Sequence, residues 1–337
     1  ANLLPLRDAR ARRQTFDWGA TVAPAPRFTG LKSFQEYPLE DLVDRIDWTP
    51  FFLTWELRGT YPRILTDPKY GKEATSLFHD AETMLRRIVD RKLLTASAVI
   101  GAFPANSVGD DVELYADEGR DRVLNTFHFL RQQNDKSRLR PNLPRENFCL
   151  ADFVAPRDVG VADYLGAFVV TAGTGVDEMV AELEEAHDDY GGIMARALAD
   201  RLAEAFAERM HERVRKEFWG YAPEESLADQ DFIKERYQGI RPAPGYPACP
   251  DHTEKAALWD LLDAQSRTGV SLTESMAMWP AASVSGFYFA HPAAHYFGVG
   301  DLGRDQIEDY ARRKDMSVGE VERWLGPNLA YEPGTAS

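Results

Sequence analysis

Residues 168–178 read Phe-Val-Val-Thr-Ala-Gly-Thr-Gly-Val-Asp-Glu, and the choice between two fold classes turns on this stretch. A β-branched apolar run enters a Gly-x-Gly turn, and an acidic stretch of helical character follows. That order imitates the strand, phosphate loop and helix of a dinucleotide-binding βαβ unit. The complete fingerprint needs a third glycine, which is missing, and a second strand ending in an acidic residue. Helix continues instead through Phe218. Met194, Leu198, Leu202, Phe206, Met210, Val214 and Phe218 recur every four residues, which makes one continuous stripe for burial. Ala199, Ala203 and Ala207 flank the stripe and permit close packing. The parallel unit is excluded.

Upstream of the stretch, strands are expected at Thr95–Phe103, Val112–Tyr115, Arg122–Leu130, Cys149–Ala155 and Tyr164–Thr171, with a polar surface loop over Asn134–Glu146. Short and long amphipathic helices are expected at Leu39–Ile46 and Ala74–Lys92. Downstream, helices are expected at Ile193–Phe218, at Thr253–Ala264 with Thr253 as cap, and at Arg304–Lys314. Ser317-Val-Gly-Glu320 has the form of a capping box opening a last helix to Leu325. A strand pair is expected within Leu272–Ala290. Strands that cluster, instead of alternating with helices, predict an α+β fold with a largely antiparallel sheet. Residues 1–30, rich in Arg, Pro and Ala, read as a linker or extended arm, and residues 31–337 as the domain.

The 337 residues carry a net charge of −15, which argues against nucleic acid as a partner. Arg209, Arg213, Arg215 and Lys216 form a local basic cluster, read either as a solvated helix face or as a dock for something acidic. Two cysteines, Cys149 and Cys249, stand outside any Cys-x-x-Cys pattern, as in a reducing compartment. No apolar run reaches membrane-spanning length, so a cytoplasmic protein is expected. Cys249-Pro-Asp-His252 lacks a second ligand pair, and Pro292 interrupts any helix aligning His291 with His295, so no metal site is expected. No Gly-x-Ser-x-Gly elbow occurs.

Residues 241–250, Arg-Pro-Ala-Pro-Gly-Tyr-Pro-Ala-Cys-Pro, hold four prolines, which exclude helix and central strand. The segment is stiff and projects Arg241 and Tyr246, while Gly245 allows close approach of backbone. A guanidinium offers a donor fork suited to carboxylate or phosphate. By itself, Arg241 is equally a ligand clamp or a structural ion pair. Asp47, before Trp48-Thr-Pro50, reads as a cap or turn former. Tyr296 and Phe297 read as one core and one edge aromatic. Glu204 falls on the polar side of the long helix and reads as solvated. Glu235, six residues before Arg241, either pairs with it or fills a helix surface.

The Arg-x-x-x-Gly-Tyr arrangement resembles the S-adenosylmethionine-binding loop of the activation (reactivation) domain of cobalamin-dependent methionine synthase. Further blocks resemble that family in order: Ile46-Asp-Trp-Thr-Pro-Phe-Phe52, Phe103-Pro-Ala-Asn106 with Val108-Gly-Asp-Asp111, and Cys149-Leu-Ala-Asp-Phe-Val-Ala-Pro156. His187-Asp-Asp-Tyr190, Ala199–Ala205, Glu274-Ser-Met-Ala-Met278 and Ser283-Val-Ser-Gly-Phe-Tyr-Phe289 continue the series.

The resemblance implies a single C-shaped α+β domain around a central twisted antiparallel sheet flanked by helices. It implies S-adenosylmethionine as ligand, contacted by Asp47, Arg241, Ala243, Gly245, Tyr246, Tyr296 and Phe297. Glu204 and Glu235 stand in second rank, and Phe297 replaces what is commonly a second tyrosine. It also implies the reaction. Cob(II)alamin, carried by another domain, takes an electron from flavodoxin or a flavodoxin-like reductase, and the sulfonium methyl is then captured as methylcobalamin. Positioning suffices for this, so no catalytic acid or base is expected. A rival is a non-catalytic docking module that caps the cobalamin domain and recruits the reductase. The chain lacks an Asp-x-His-x-x-Gly sequence for the cobalt's lower ligand and a Cys-Cys zinc site for homocysteine. It is expected not to make methionine alone, as an excised fragment or a free-standing subunit, and its arginine-rich start favours the fragment.

Overall fold

The computed structural model describes residues 2–136, 144–227 and 236–334. Six antiparallel strands form the central sheet: β1 (Gly30–Tyr37), β2 (Thr95–Val108), β3 (Asp111–Tyr115), β4 (Val123–His128), β5 (Asp163–Thr174) and β6 (Ser283–Tyr288). The order runs β4-β3-β2-β5-β6, and β1 pairs with the other half of the same β2 edge. β2 spans 14 residues, long enough for Ala96–Ala102 to hold β1 while Ala105–Val108 holds β3.

Both faces of β2 and β5 are covered, which is why they read as continuous apolar runs. Ala96, Ala98 and Ile100 on β2, with Phe168, Val170 and Ala172 on β5, point into one cluster. Val99, Phe103 and Ala105, with Leu165, Ala167 and Val169, point into the opposite one. The alternation is the period of two that extended backbone imposes. β6 obeys it too, with Tyr288 on the first side and Phe287 on the second.

The first cluster is filled by helices α3 (Glu40–Val43), α4 (Trp48–Thr54), α5 (Gly71–Arg91), α6 (Val176–Glu185) and α7 (Asp189–Arg213), after the short α1 (Leu6–Ala11) and α2 (Trp18–Thr21). In α7, Met194, Leu198, Leu202, Phe206 and Met210 are all buried, and so are Ala199, Ala203 and Ala207. The expected helix to Phe218 ends earlier as α-helix, at Arg213, and closes in a π turn over Val214–Phe218. The opposite face takes α8 (Glu254–Leu262) and α9 (Ala264–Thr268). The hairpin α10 (Arg304–Lys314) and α11 (Val318–Trp324) closes a third, smaller apolar cluster.

Several expectations are corrected. Cys149–Ala155 is not a strand: Leu150–Phe153 makes a 3₁₀ turn, because the Asp152 carboxylate accepts from the Cys149 N–H and holds Arg131. The strand β1 goes unread from sequence because Leu31, Phe34 and Tyr37 are spaced by three. A register shift between Phe34 and Tyr37, with Glu36 at φ 48°, breaks the alternation. Within Leu272–Ala290 the expected strand pair forms only at the start of the stretch. Ser271–Leu272 pairs with Met278–Trp279, and Ser283–Tyr288 joins β5 in the main sheet. Thr253 does not cap α8 through its hydroxyl, which donates to Asp251 instead. Ser317 does accept from the Glu320 N–H. Of the basic cluster, Arg209 pairs with Asp41 and Glu212, Arg213 with Glu217, and the fully buried Arg215 with Glu225. Arg213 with Glu217 fits the solvated face, whereas buried Arg215 belongs to the interior.

The arm, residues 2–29, lies against the domain with Leu6, Ala9, Trp18 and Ala23 buried. Arg10 bridges Asp110 (2.8 Å) and Asp309 (2.6 Å), so a chain start, a sheet turn and α10 share one ionic knot. Buried Arg131 completes it on Asp110 and Asp152.

Candidate functional site

The proline-rich segment is seated on the exposed edge of β6. Ile240 and Phe289 exchange backbone hydrogen bonds of 3.0 Å, and the Phe287 N–H donates to Pro242 O at 2.9 Å. The ladder stops there, because the Pro242 nitrogen carries no hydrogen to return the bond to Phe287. Gly286 makes the approach possible, since a Cβ there would stand 2.5 Å from the Pro242 carbonyl oxygen. The chain then turns sharply: the Gly245 N–H donates to Cys249 O (2.7 Å) and Tyr246 N–H to Ala243 O (3.2 Å). Gly245 sits at φ +93°, a conformation that suits glycine. The His252 ring occupies the space where its Cβ would go.

This geometry delivers Arg241 to a particular place. Its backbone N–H donates to the Tyr296 hydroxyl at 2.9 Å, and its Nη2 donates to Glu208 Oε2 at 3.0 Å. The side chain is 18 % exposed, and its Nε is buried with no hydrogen-bond partner among the described residues. Burial opposes its charge, while Glu208, Tyr237, Tyr296 and Glu204 favour it; the balance holds the group protonated with its pKa raised. Glu204 lies one helical turn before Glu208 and is half-buried, not solvated as its sequence position suggests. Tyr246 is 61 % exposed beside this cluster, and burial, then Glu204, raise its pKa.

Behind Arg241, the fully buried His211 stacks on Tyr288 (ring centroids 5.3 Å) and meets Tyr237 edge-on (4.9 Å). Neither ring nitrogen has a hydrogen-bond partner among the described residues. Burial, with Arg215 and Arg241 nearby, pushes its pKa well below the usual imidazole value and keeps it neutral.

Asp47 lies apart. It caps α4, its carboxylate accepting from the Thr49 N–H at 3.0 Å, and it borders a cavity of about 1040 Å³ walled by Trp48, Tyr61 and Phe78 with Arg63 and Arg86. Among the described residues no hydrogen bond or ion pair joins it to Arg241. Phe297 is half-buried between the second and third apolar clusters, its ring 5.7 Å from Phe148 and 6.4 Å from Phe153. Glu235 lies outside the described residues.

The family model for the activation domain of vitamin B12-dependent methionine synthase matches residues 38–315. The chain belongs to this family. A solved structure described as the MetH reactivation domain bound to AdoHcy is 55% identical to the chain. That comparison covers 98% of this chain and 100% of the other, with a TM-score of 0.94.

The activation domain thus unites Arg241, Ala243, Gly245, Tyr246 and Tyr296 in one loop-and-rim constellation, with Glu204 on the helix beneath. Sequence reasoning missed Glu208, His211, Tyr237 and Tyr288, which group around Arg241. Only Glu208 left a trace: it follows Glu204 by four, the spacing that places two side chains on one helix face. No helix among the described residues is long and apolar enough to cross a membrane. No cluster of three or more His, Cys, Asp or Glu among them is arranged to hold a metal.

Proposed function

We propose that this activation domain binds S-adenosylmethionine against the 241–246 loop and presents its methyl group to cobalamin carried by another domain of a methionine synthase. The observation that carries the reading is the pre-aimed guanidinium of Arg241, braced by prolines, by Tyr296 on its amide and by Glu208 on its side chain. Its buried Nε lacks a partner among the described residues, and a ligand carboxylate supplies the acceptor such a fork requires. Ala243 and Gly245 offer backbone contacts, Tyr246 and Tyr296 an aromatic wall, and Phe297 an apolar one. Asp47 takes the ligand's ammonium, with Glu204 and Glu235 as supporting carboxylates.

Bound S-adenosylmethionine supplies an electrophilic methyl carbon. The chain's own residues bind, orient and shield it, and none is needed to move a proton. The domain proper spans residues 31–337, with residues 1–30 as an arm. In this reading the protein is cytoplasmic, a flavodoxin-like reductase delivers the electron, and the polypeptide alone does not make methionine.

Titration calorimetry with S-adenosylmethionine and S-adenosylhomocysteine tests the proposal. Saturable heat that Arg241→Ala removes supports it; absence of binding to the wild-type chain sinks it in favour of a docking module.

A further inference from the structure

We infer that Glu208 is a positioning residue that aims Arg241 and thereby makes binding depend on the ligand's amino-acid tail. The inference rests on the reading above that Arg241 takes the tail carboxylate. The geometry singles out Glu208. Its Oε2 accepts from Arg241 Nη2 at 3.0 Å, while its Oε1 has no hydrogen bond among the described residues and stands 4.0 Å from Arg215 Nη2. Arg215 does not require it, because Glu225 already accepts from Arg215 Nε and Nη2 at 2.9–3.0 Å. The work of Glu208 is therefore on Arg241.

An unbraced arginine at the edge of a loop explores many rotamers, and a ligand must freeze them on binding. Here the freezing is complete beforehand. The guanidinium is tethered to α7, a helix packed on the sheet through Ala199, Ala203 and Ala207, and its amide is tethered to Tyr296. Pre-ordering one such side chain accounts for roughly tenfold in affinity. The effect should be confined to ligands that carry the carboxylate, since nothing else in an adenosine thioether calls on a guanidinium.

The test compares S-adenosylhomocysteine with 5′-methylthioadenosine, which lacks the tail, on the full chain. Three variants are titrated beside wild type: Glu208→Gln, Glu208→Asp and Arg241→Ala. The expected result is a loss of about tenfold for S-adenosylhomocysteine in Glu208→Gln, with the 5′-methylthioadenosine affinity unchanged within about twofold. Glu208→Asp keeps the charge and should recover part of the loss. An equal fall for both ligands means that Glu208 merely supports the fold, which overturns the inference. Loss of tail preference in Arg241→Ala but not in either Glu208 variant also overturns it, while leaving the clamp intact. Tail preference that survives Arg241→Ala brings down the clamp itself.

Discussion

Gly245→Ala probes the hinge of the site most directly, because its cost can be assembled from two separate causes. The residue sits at φ +93°, and an L-residue held on the left-handed side costs about 1–2 kcal/mol. Independently, the new Cβ would lie 2.6 Å from His252 Nδ1 and 2.8 Å from its Nε2, far inside contact distance. The imidazole must then swing away, and it leaves its 3.0 Å contact with Lys255 Nζ, a hydrogen bond worth about 0.5–1.5 kcal/mol. Together these predict a loss of about 1.5–3.5 kcal/mol in unfolding free energy. Urea denaturation of Gly245→Ala, His252→Ala and the double variant separates the causes. In the His252→Ala background only the backbone strain of about 1–2 kcal/mol should remain, so the two positions should couple by about 1 kcal/mol. A cost under about 0.5 kcal/mol, or the same cost in both backgrounds, would refute this account of the loop. Weaker binding of S-adenosylhomocysteine should accompany the instability, since the same turn places Arg241.

Arg241→Ala should cost about 2–4 kcal/mol of S-adenosylhomocysteine affinity by calorimetry, as expected for deleting a buried charged partner; an unchanged value removes the clamp. Asp47→Asn should weaken the ligand yet leave the melting temperature nearly unaltered, because asparagine caps a helix as well as aspartate does; a large fall in melting temperature makes Asp47 a purely structural cap. Phe297→Tyr should fold normally, since the ring is only half-buried where it meets Phe148 and Phe153, and a collapsed fold would show that its edge tolerates no hydroxyl. Burial pushes His291 down to about 4, so the folded state keeps it neutral where the unfolded chain takes up a proton. Its contribution to stability is whole above pH 6.5 and drains away as pH falls toward 4, by at most about 1.4 kcal/mol per pH unit. Asp163, which burial pushes up to about 7, acts in the opposite sense, so the readout is the difference between wild type and His291→Asn. That variant should lose less stability between pH 6.5 and 5, and parallel pH curves would refute the assignment.

The antiparallel α+β class was legible because it depends on local information. Residues 168–178 lack the third glycine, and the four-residue recurrence from Met194 runs where a second parallel strand would have to stand. The stiff, projecting character of residues 241–250 was equally legible, since proline constrains backbone wherever it occurs. Strand β1 escaped because its bulge erased the period of two, and the 3₁₀ turn at Leu150 escaped because its cause, Arg131 on Asp152, is distant in sequence. Arg241 could be read as either clamp or ion pair, and the structure makes it an ion pair on Glu208, 33 residues earlier.

Side-chain type and spacing are properties of the chain alone, so they decided the fold class and named the loop. Which carboxylate meets which guanidinium depends on how α7 settles against β6 and the loop. Glu208 and Arg241 meet only because small residues let that helix approach, and Gly286 lets Pro242 lie on the sheet edge. Periodicity cannot encode such pairings: it reports the face of one element, whereas an ion pair is fixed by the distance between two.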